Sequence, residues 1–158
     1  MLNIILALKF VHMVSMAVMF GTWLGIALFM VFAHRARNTS VVALTSVFVV
    51  RAELWVMATA VVLQPLVGIP LAFAIGSPIG AYWLEASVAI YGGVLLVWIL
   101  NLLIEMRIRR LSKDAALAAS PLPPSYRRLF WVWSLFTIAG LAGMIAIMAF
   151  MIWQPQWS

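Results

Sequence analysis

Four long apolar stretches dominate the chain, and each is long enough to cross a lipid bilayer. A transmembrane helix needs about 20 mostly apolar residues, and the candidates cover residues 4–33, 51–75, 82–106 and 129–153. Only 9% of the residues are charged, whereas an average soluble domain is about 25% charged. The sequence therefore predicts an all-α protein, a bundle of four transmembrane helices in a single membrane domain that covers residues 1–158.

The basic residues indicate how this bundle is oriented. Nine of the ten lysines and arginines lie near two of the three connections, at residues 35–51 and 107–128, while the connection at residues 76–80 has no charge. Basic residues are retained on the cytoplasmic side of a membrane. We therefore expect a multi-pass protein of the bacterial inner membrane, in contact with lipid and with both termini in the periplasm. Membrane topology then explains the net charge of +6, and no nucleic-acid partner is predicted.

Polar side chains in the outer half of the predicted spans form the candidate site. Ionisable groups within a span cost about 2.5–3.5 kcal/mol on insertion scales, so each is a functional candidate. Lys9 and His12 share one helix face because they are three residues apart. Near Gln64, Pro65 and Pro70 free backbone carbonyl groups, which predicts a local irregularity of the second helix. We expect five residues of three helices to converge here: Lys9, His12, Gln64, Glu85 and Ser87.

The charged residues also have structural interpretations. Lys9 and Glu85 carry opposite charges near the outer ends of their helices and are expected either to form an ion pair or to lie apart, with Lys9 reaching the headgroups. A second group lies near the cytoplasmic ends of the spans and is interpreted as an interfacial cluster of ion pairs: Arg51, Glu53, Asn101 and Glu105.

His12 is the candidate ligand of a cofactor or metal. The only other histidine, His34, is 22 residues away, or about 33 Å along a helix, so one chain cannot supply both axial ligands of a haem from this pair. A haem on His12 needs a methionine, a lysine, water or a partner residue on its other side. Copper(I) is an alternative because the thioethers of Met13, Met16 and Met19 lie nearby in sequence.

Several short motifs resemble known membrane-protein families. The residues Leu-Lys-Phe-Val-His at 8–12, followed by Gly-Thr-Trp-Leu-Gly at 21–25, resemble the first helix of a superfamily of small bacterial membrane proteins. It includes the HemJ-type protoporphyrinogen oxidase, copper-resistance protein D and the membrane domain of a cytochrome-linked urate oxidase. A closer resemblance is to an uncharacterised family of four-helix integral membrane proteins, through residues 64–68, 82–84, 107–110 and 122–130.

The resemblance implies a haem function. In the protoporphyrinogen oxidase relatives, a first-helix histidine and a third-helix lysine are the haem-binding pair. His12 matches the histidine, whereas Ser87 stands at the lysine position. The leading hypothesis is thus a subunit that binds haem b at His12 and passes electrons beside a respiratory or dehydrogenase system. It implies a quinone or cytochrome partner and a homo- or hetero-oligomeric complex. The other candidate-site residues, Lys9, Gln64, Glu85 and Ser87, would serve propionates, quinol or protons.

A rival hypothesis belongs to a different class. Four spans with almost no soluble portion are also typical of a non-catalytic accessory or assembly subunit that holds no cofactor of its own. Both hypotheses favour an electron-transfer or accessory subunit over a stand-alone enzyme. Copper handling and porphyrinogen oxidation are lesser alternatives. A reduced-minus-oxidised spectrum of the purified protein separates the first two hypotheses.

Overall fold

The computed structural model describes residues 2–78 and 80–154, and within them every regular element is a helix. A π-helical segment follows α2 and leads directly into α3, so these three elements form one continuous helical rod, Thr39–Ala74. The elements in chain order are α1 Leu2–Arg35, α2 Thr39–Ala52, the π segment Glu53–Met57, α3 Ala58–Ala74, α4 Tyr82–Leu117 and α5 Pro124–Trp153.

Four helical rods are long and apolar enough to cross a membrane, which confirms the predicted all-α, four-helix fold. The rods have 30 to 36 residues, which corresponds to about 45–54 Å at 1.5 Å per residue. This length exceeds the hydrocarbon thickness of about 30 Å. The helices therefore continue beyond the predicted spans: the second rod begins at Thr39, and α4 continues from residue 106 to Leu117.

The helices alternate in direction, and this gives the bundle two distinct ends. We call the end with residues 36–38 and 118–123 the basic end, and the end with residues 75–81 the turn end. Leu2 and Gln154, the first and last described residues, lie at the turn end. Nine basic residues lie toward the basic end: Arg35, Arg37, Arg51, Arg107, Arg109, Arg110, Lys113, Arg127 and Arg128. Their placement in the cytoplasm stays a prediction.

Local sequence explains where the rods begin and turn. The side chain of Asn38 accepts hydrogen bonds from the backbone N–H groups of Ser40 and Val41, which caps the start of α2. At the turn end, Gly76 and Gly80 have φ angles of +68° and +100°, which glycine adopts without a steric penalty. Residue 79, within the predicted turn, lies outside the described residues.

The helices form close pairs, α1 with α3 and α4 with α5, while α2 packs against α4. Close packing of small residues holds helices together in lipid, and Gly140 on α5 shows this: the Trp23 ring occupies the space that a Cβ there would take. Two buried apolar clusters result. The basic-end cluster contains Ile26, Met30, Ala33, Val42, Val49, Ile108, Tyr126, Phe130 and Trp133. The turn-end cluster contains Met19, Trp23, Met57, Ala60, Val61, Val94, Met144 and Ile147.

Candidate functional site

The polar residues predicted for the turn-end half do not all meet. Lys9 and Glu85 are both exposed, and no ion pair joins them within the described residues. Lys9 lies on α1, which pairs with α3, whereas Glu85 lies on α4, which pairs with α5. Of the two expected arrangements, an ion pair or separate positions, the structure has the second, because the two residues belong to different helix pairs.

Ser87 is buried, but its hydroxyl is engaged within its own helix. The Ser87 Oγ donates a hydrogen bond of 2.6 Å to the carbonyl oxygen of Trp83, one turn earlier. Serine hydroxyls often bond back to the preceding turn in this way. At the position where the resemblance expects a lysine ligand, α4 therefore has a short side chain that is satisfied locally.

His12 and Gln64 do come together, at the contact between α1 and α3. Ser15 donates a hydrogen bond of 3.0 Å to the carbonyl oxygen of Ala60, and His12 lies against Gly68. Gln64 is four residues from both Ala60 and Gly68, so it lies on the same face of α3. The structure thus brings together two of the five predicted residues, both on the α1–α3 contact.

The absence of a side chain at Gly68 makes room for the His12 ring. A Cβ at this position would lie 2.9 Å from Cε1, 3.2 Å from Nδ1 and 3.9 Å from Nε2 of the imidazole. The Cε1–Nδ1 edge therefore faces α3, and Nε2 is farther from it. His12 Nδ1 and Gln64 Oε1 are both buried without a hydrogen-bond partner in the described structure. Unsatisfied polar atoms of this kind are uncommon in native proteins.

The second rod has an irregular segment, but it does not lie at the prolines, where the sequence predicted it. Pro65 and Pro70 are inside α3, which remains an α-helix. Proline lacks the N–H that would bond to the carbonyl four residues earlier, and for Pro65 that carbonyl belongs to Val61. The Tyr91 hydroxyl donates a hydrogen bond of 2.6 Å to it. A side chain of α4 thus satisfies the freed carbonyl, and α3 stays regular.

The irregular backbone is the π segment, which begins with a buried glutamate. The backbone N–H of Ala58 donates to the carbonyl of Glu53, five residues earlier, which is the π-helical pattern. Single π turns within α-helices are frequent at functional sites. Glu53 itself has only 1% of its surface exposed. The π segment therefore places a carboxylate inside the bundle.

A second glutamate, Glu105 on α4, is buried beside Glu53. Its exposed fraction is also 1%, and it lies two helical turns after Trp98, the α4 residue that contacts Glu53. The Trp98 indole donates a hydrogen bond to Glu53 Oε2, and the Trp133 indole donates one of 2.7 Å to Glu105 Oε1. We call these two glutamates the carboxylate pair.

The carboxylate pair contradicts the predicted interfacial cluster of ion pairs. Arg51 is exposed, whereas Glu53, Asn101 and Glu105 are buried. Within the described part of the chain, neither glutamate bonds to a basic side chain. Two residues along a helix correspond to about 200° of rotation, so Arg51 and Glu53 point to opposite sides.

Asn101 extends this polar cluster by one helical turn. Its Nδ2 donates a hydrogen bond of 2.9 Å to the Thr137 hydroxyl of α5. Two atoms nearby have no partner in the described structure, Asn101 Oδ1 and Glu105 Oε2. The cluster thus combines two carboxylates, an amide and a hydroxyl between the second rod, α4 and α5.

A metal site needs several ligating side chains close together. In residues 2–78 and 80–154, no group of three or more histidine, cysteine, aspartate or glutamate side chains is placed to hold a metal ion. The methionines near His12 do not share one surface, because Met13 is 63% exposed and Met19 is 1% exposed. The copper alternative therefore lacks a common thioether face.

Comparison with known proteins agrees with this architecture. Residues 6–155 match the family described as "Predicted integral membrane protein (DUF2269)". The chain belongs to this family. No curated protein and no solved structure matches it. The match covers nearly the whole chain, so the family assignment applies to the entire four-helix bundle and makes it an integral membrane protein.

In this family member, the sequence interpretation missed the carboxylate pair, although the signal was present. Glu53 and Glu105 lie within the predicted spans 51–75 and 82–106, where a carboxylate is unusual. The nearby arginines, Arg51 and Arg107, favoured an interfacial interpretation. Trp98 and Trp133 were missed because the helix contacts that bring indoles to carboxylates are not visible in the sequence.

Proposed function

We propose that this protein binds haem b at His12 and acts as an electron-transfer subunit of a membrane complex. The observation that carries the proposal is the setting of the His12 ring. Its Cε1–Nδ1 edge rests on α3 at Gly68, and Nε2 lies farther from that helix. Metal-binding histidines are typically oriented through the ring nitrogen that does not bind the metal. Here the packing of the Cε1–Nδ1 edge on Gly68, in place of a hydrogen bond, would orient the ring, and Nε2 would hold the iron.

The residues fit one axial position of a haem. A bound haem would supply a one-electron redox couple, whose potential depends on the axial ligands and on burial. His34 is not available as the second ligand, because it stacks on Phe130 with ring centroids 3.9 Å apart, at the basic end. The second ligand therefore comes from a methionine, a lysine, water or a partner chain. The first-helix motif that resembles the protoporphyrinogen oxidase superfamily supports the histidine assignment.

A reduced-minus-oxidised absorption spectrum of protein produced with ample haem tests this proposal. We expect the α-band of a b-type haem, its loss in His12→Ala and its retention in His34→Ala. Size-exclusion chromatography shows that each variant is folded. A band that is unchanged in His12→Ala overturns the assignment, and so does the absence of haem from well-folded wild-type protein.

The alternative is an accessory or assembly subunit without a cofactor. The observation that favours it is an open surface on α1, where Gly21 and Gly25 have no neighbouring atom within 4 Å of a Cβ built on them. Glycines spaced four apart allow close approach of another helix. A haem-free protein that copurifies with a membrane complex supports this alternative.

The location and partners of the protein follow from the same proposal. We infer a bacterial inner membrane, with the basic end in the cytoplasm and a quinone or cytochrome as the redox partner. Two reporters fused after Ser158 test the orientation: one active only in the periplasm should be active, and one active only in the cytoplasm should be inactive. The reverse result overturns the orientation.

A further inference from the structure

Two buried oxygen atoms, one helical turn apart, both lack a hydrogen-bond donor. Glu105 Oε2 and Asn101 Oδ1 have no partner in the described structure, and each residue is 1% exposed. An ionised carboxylate and an amide oxygen are both acceptors, so they cannot satisfy each other. A proton on Glu105 Oε2 turns that atom into a donor. We propose that the carboxylate pair is a proton-binding site in which Glu105 donates this proton to Asn101 Oδ1.

The two tryptophans determine which oxygen can hold the proton. An indole N–H is only a donor, so the oxygen that it contacts must act as an acceptor. Trp133 donates to Glu105 Oε1, and Trp98 donates to Glu53 Oε2. The proton on Glu105 is therefore assigned to Oε2. Asn101 and Glu105 are four residues apart, so their side chains lie side by side on one face of α4.

Burial and charge favour a bound proton over two ionised carboxylates. An isolated ionised carboxylate is expensive to bury, and a second like charge nearby adds repulsion. No basic side chain compensates within the described residues. On α2 and α4 the nearest basic residues, Arg51 and Arg107, are exposed. On α1 and α5, His34 bonds to Tyr126, while three further basic residues are exposed: Arg35, Arg127 and Arg128.

The carboxylate pair lies closer to the basic end than to the turn end, and apolar side chains enclose it on both sides. Glu53 and Glu105 are each two residues from an exposed arginine at the basic end. Toward the turn end, the interior is filled by apolar side chains of the turn-end cluster, among them Met57, Val94 and Met144. The basic-end cluster fills the interior toward the basic end in the same way. The step transfers one proton between water and Glu105 and involves no electron or other reactant.

Infrared spectroscopy of the protein in lipid nanodiscs tests this inference. The chain has only four aspartate and glutamate residues, so few carboxyl bands overlap. We expect wild-type protein at neutral pH to show the C=O band of a protonated, buried carboxyl group, which shifts in D₂O. Glu105→Gln should remove this band. Glu85→Gln and Asp114→Asn, which change exposed residues, should leave it unchanged.

Two further variants sharpen the assignment. Asn101→Val removes the proposed acceptor, so the band should move to higher frequency without loss of intensity. Glu53→Gln should shift the band but not abolish it. If wild-type protein shows no band of a protonated carboxyl group, this result alone overturns the inference, and no variant is needed. A band that persists in Glu105→Gln, or that does not move in Asn101→Val, overturns the assignment to this pair. None of these outcomes depends on haem, so this inference and the proposed function fail or survive separately.

Discussion

Glu85 and Glu105 lie on the same helix, yet one is exposed and the other is completely buried. Glu85 is in the first turn of α4, at the turn end of the bundle. Glu105 faces α5, where Trp133 donates a hydrogen bond to it. The position of a carboxylate relative to the neighbouring helices therefore decides its role. The basic-end half encloses its carboxylates, whereas the turn-end half leaves Lys9 and Glu85 at the surface.

Removal of an indole donor from the carboxylate pair should have the largest effect on stability. Trp133→Phe leaves Glu105 Oε1 buried without its hydrogen bond, and the unsatisfied group costs about 1–3 kcal/mol. Trp98→Phe should act similarly on Glu53. Unfolding of detergent-solubilised protein measures the change. Trp131→Phe is the matched control, because Trp131 is 64% exposed, and such surface changes usually stay within about 0.5 kcal/mol. Equal effects of Trp131→Phe and Trp133→Phe contradict the enclosed pair.

A smaller effect is expected in the turn-end half, where His12 rests on Gly68. The added methyl group of Gly68→Ala displaces the ring and should lower the free energy of unfolding by about 1 kcal/mol, the low end of overpacking costs. In a His12→Ala background the same substitution should be nearly neutral. Gly21→Ala is the control, because a Cβ there meets no atom within 4 Å. If Gly68→Ala costs the same in both backgrounds, the ring does not lie on Gly68.

The smallest effect is expected for the two exposed charges. Lys9→Met and Glu85→Gln should each change the free energy of unfolding by less than about 0.5 kcal/mol. Because the residues do not touch, the two changes should add in the double variant. If the double variant regains stability that each single variant loses, Lys9 and Glu85 form an ion pair.

The fold was largely predictable because its signals are long and redundant. Each rod contains an apolar stretch that exceeds what a soluble helix needs, and the connections are marked by basic residues or by Gly76 and Gly80. The ends of the rods were less predictable. Beyond residue 106, α4 continues through a basic, polar segment to Leu117. The hydropathy of such a segment does not predict a transmembrane helix.

The candidate site was only partly predictable, because its composition depends on which helices pack against each other. The sequence identified His12 and Gln64 as polar residues within spans, and their meeting depends on the register of α1 against α3. It also suggested that Lys9 and Glu85 meet, since it does not show that α1 and α4 belong to different pairs. The π segment was missed because the sequence pointed to Pro65 as the irregular position. The Val61 carbonyl, which Pro65 leaves without its helical donor, instead accepts a hydrogen bond from Tyr91 of α4.

A double-mutant cycle on the carboxylate pair tests the central contrast most directly. Glu53→Gln, Glu105→Gln and the double variant are compared for unfolding in detergent, beside the same cycle for Lys9→Met and Glu85→Gln. Glutamine keeps an oxygen for each indole but removes one member of the pair that binds the proton, so the effect of the second substitution should differ from that of the first. The coupling should be about 0.5–3 kcal/mol for the carboxylate pair, whereas the effects of Lys9→Met and Glu85→Gln should add. Additive effects of Glu53→Gln and Glu105→Gln would contradict it.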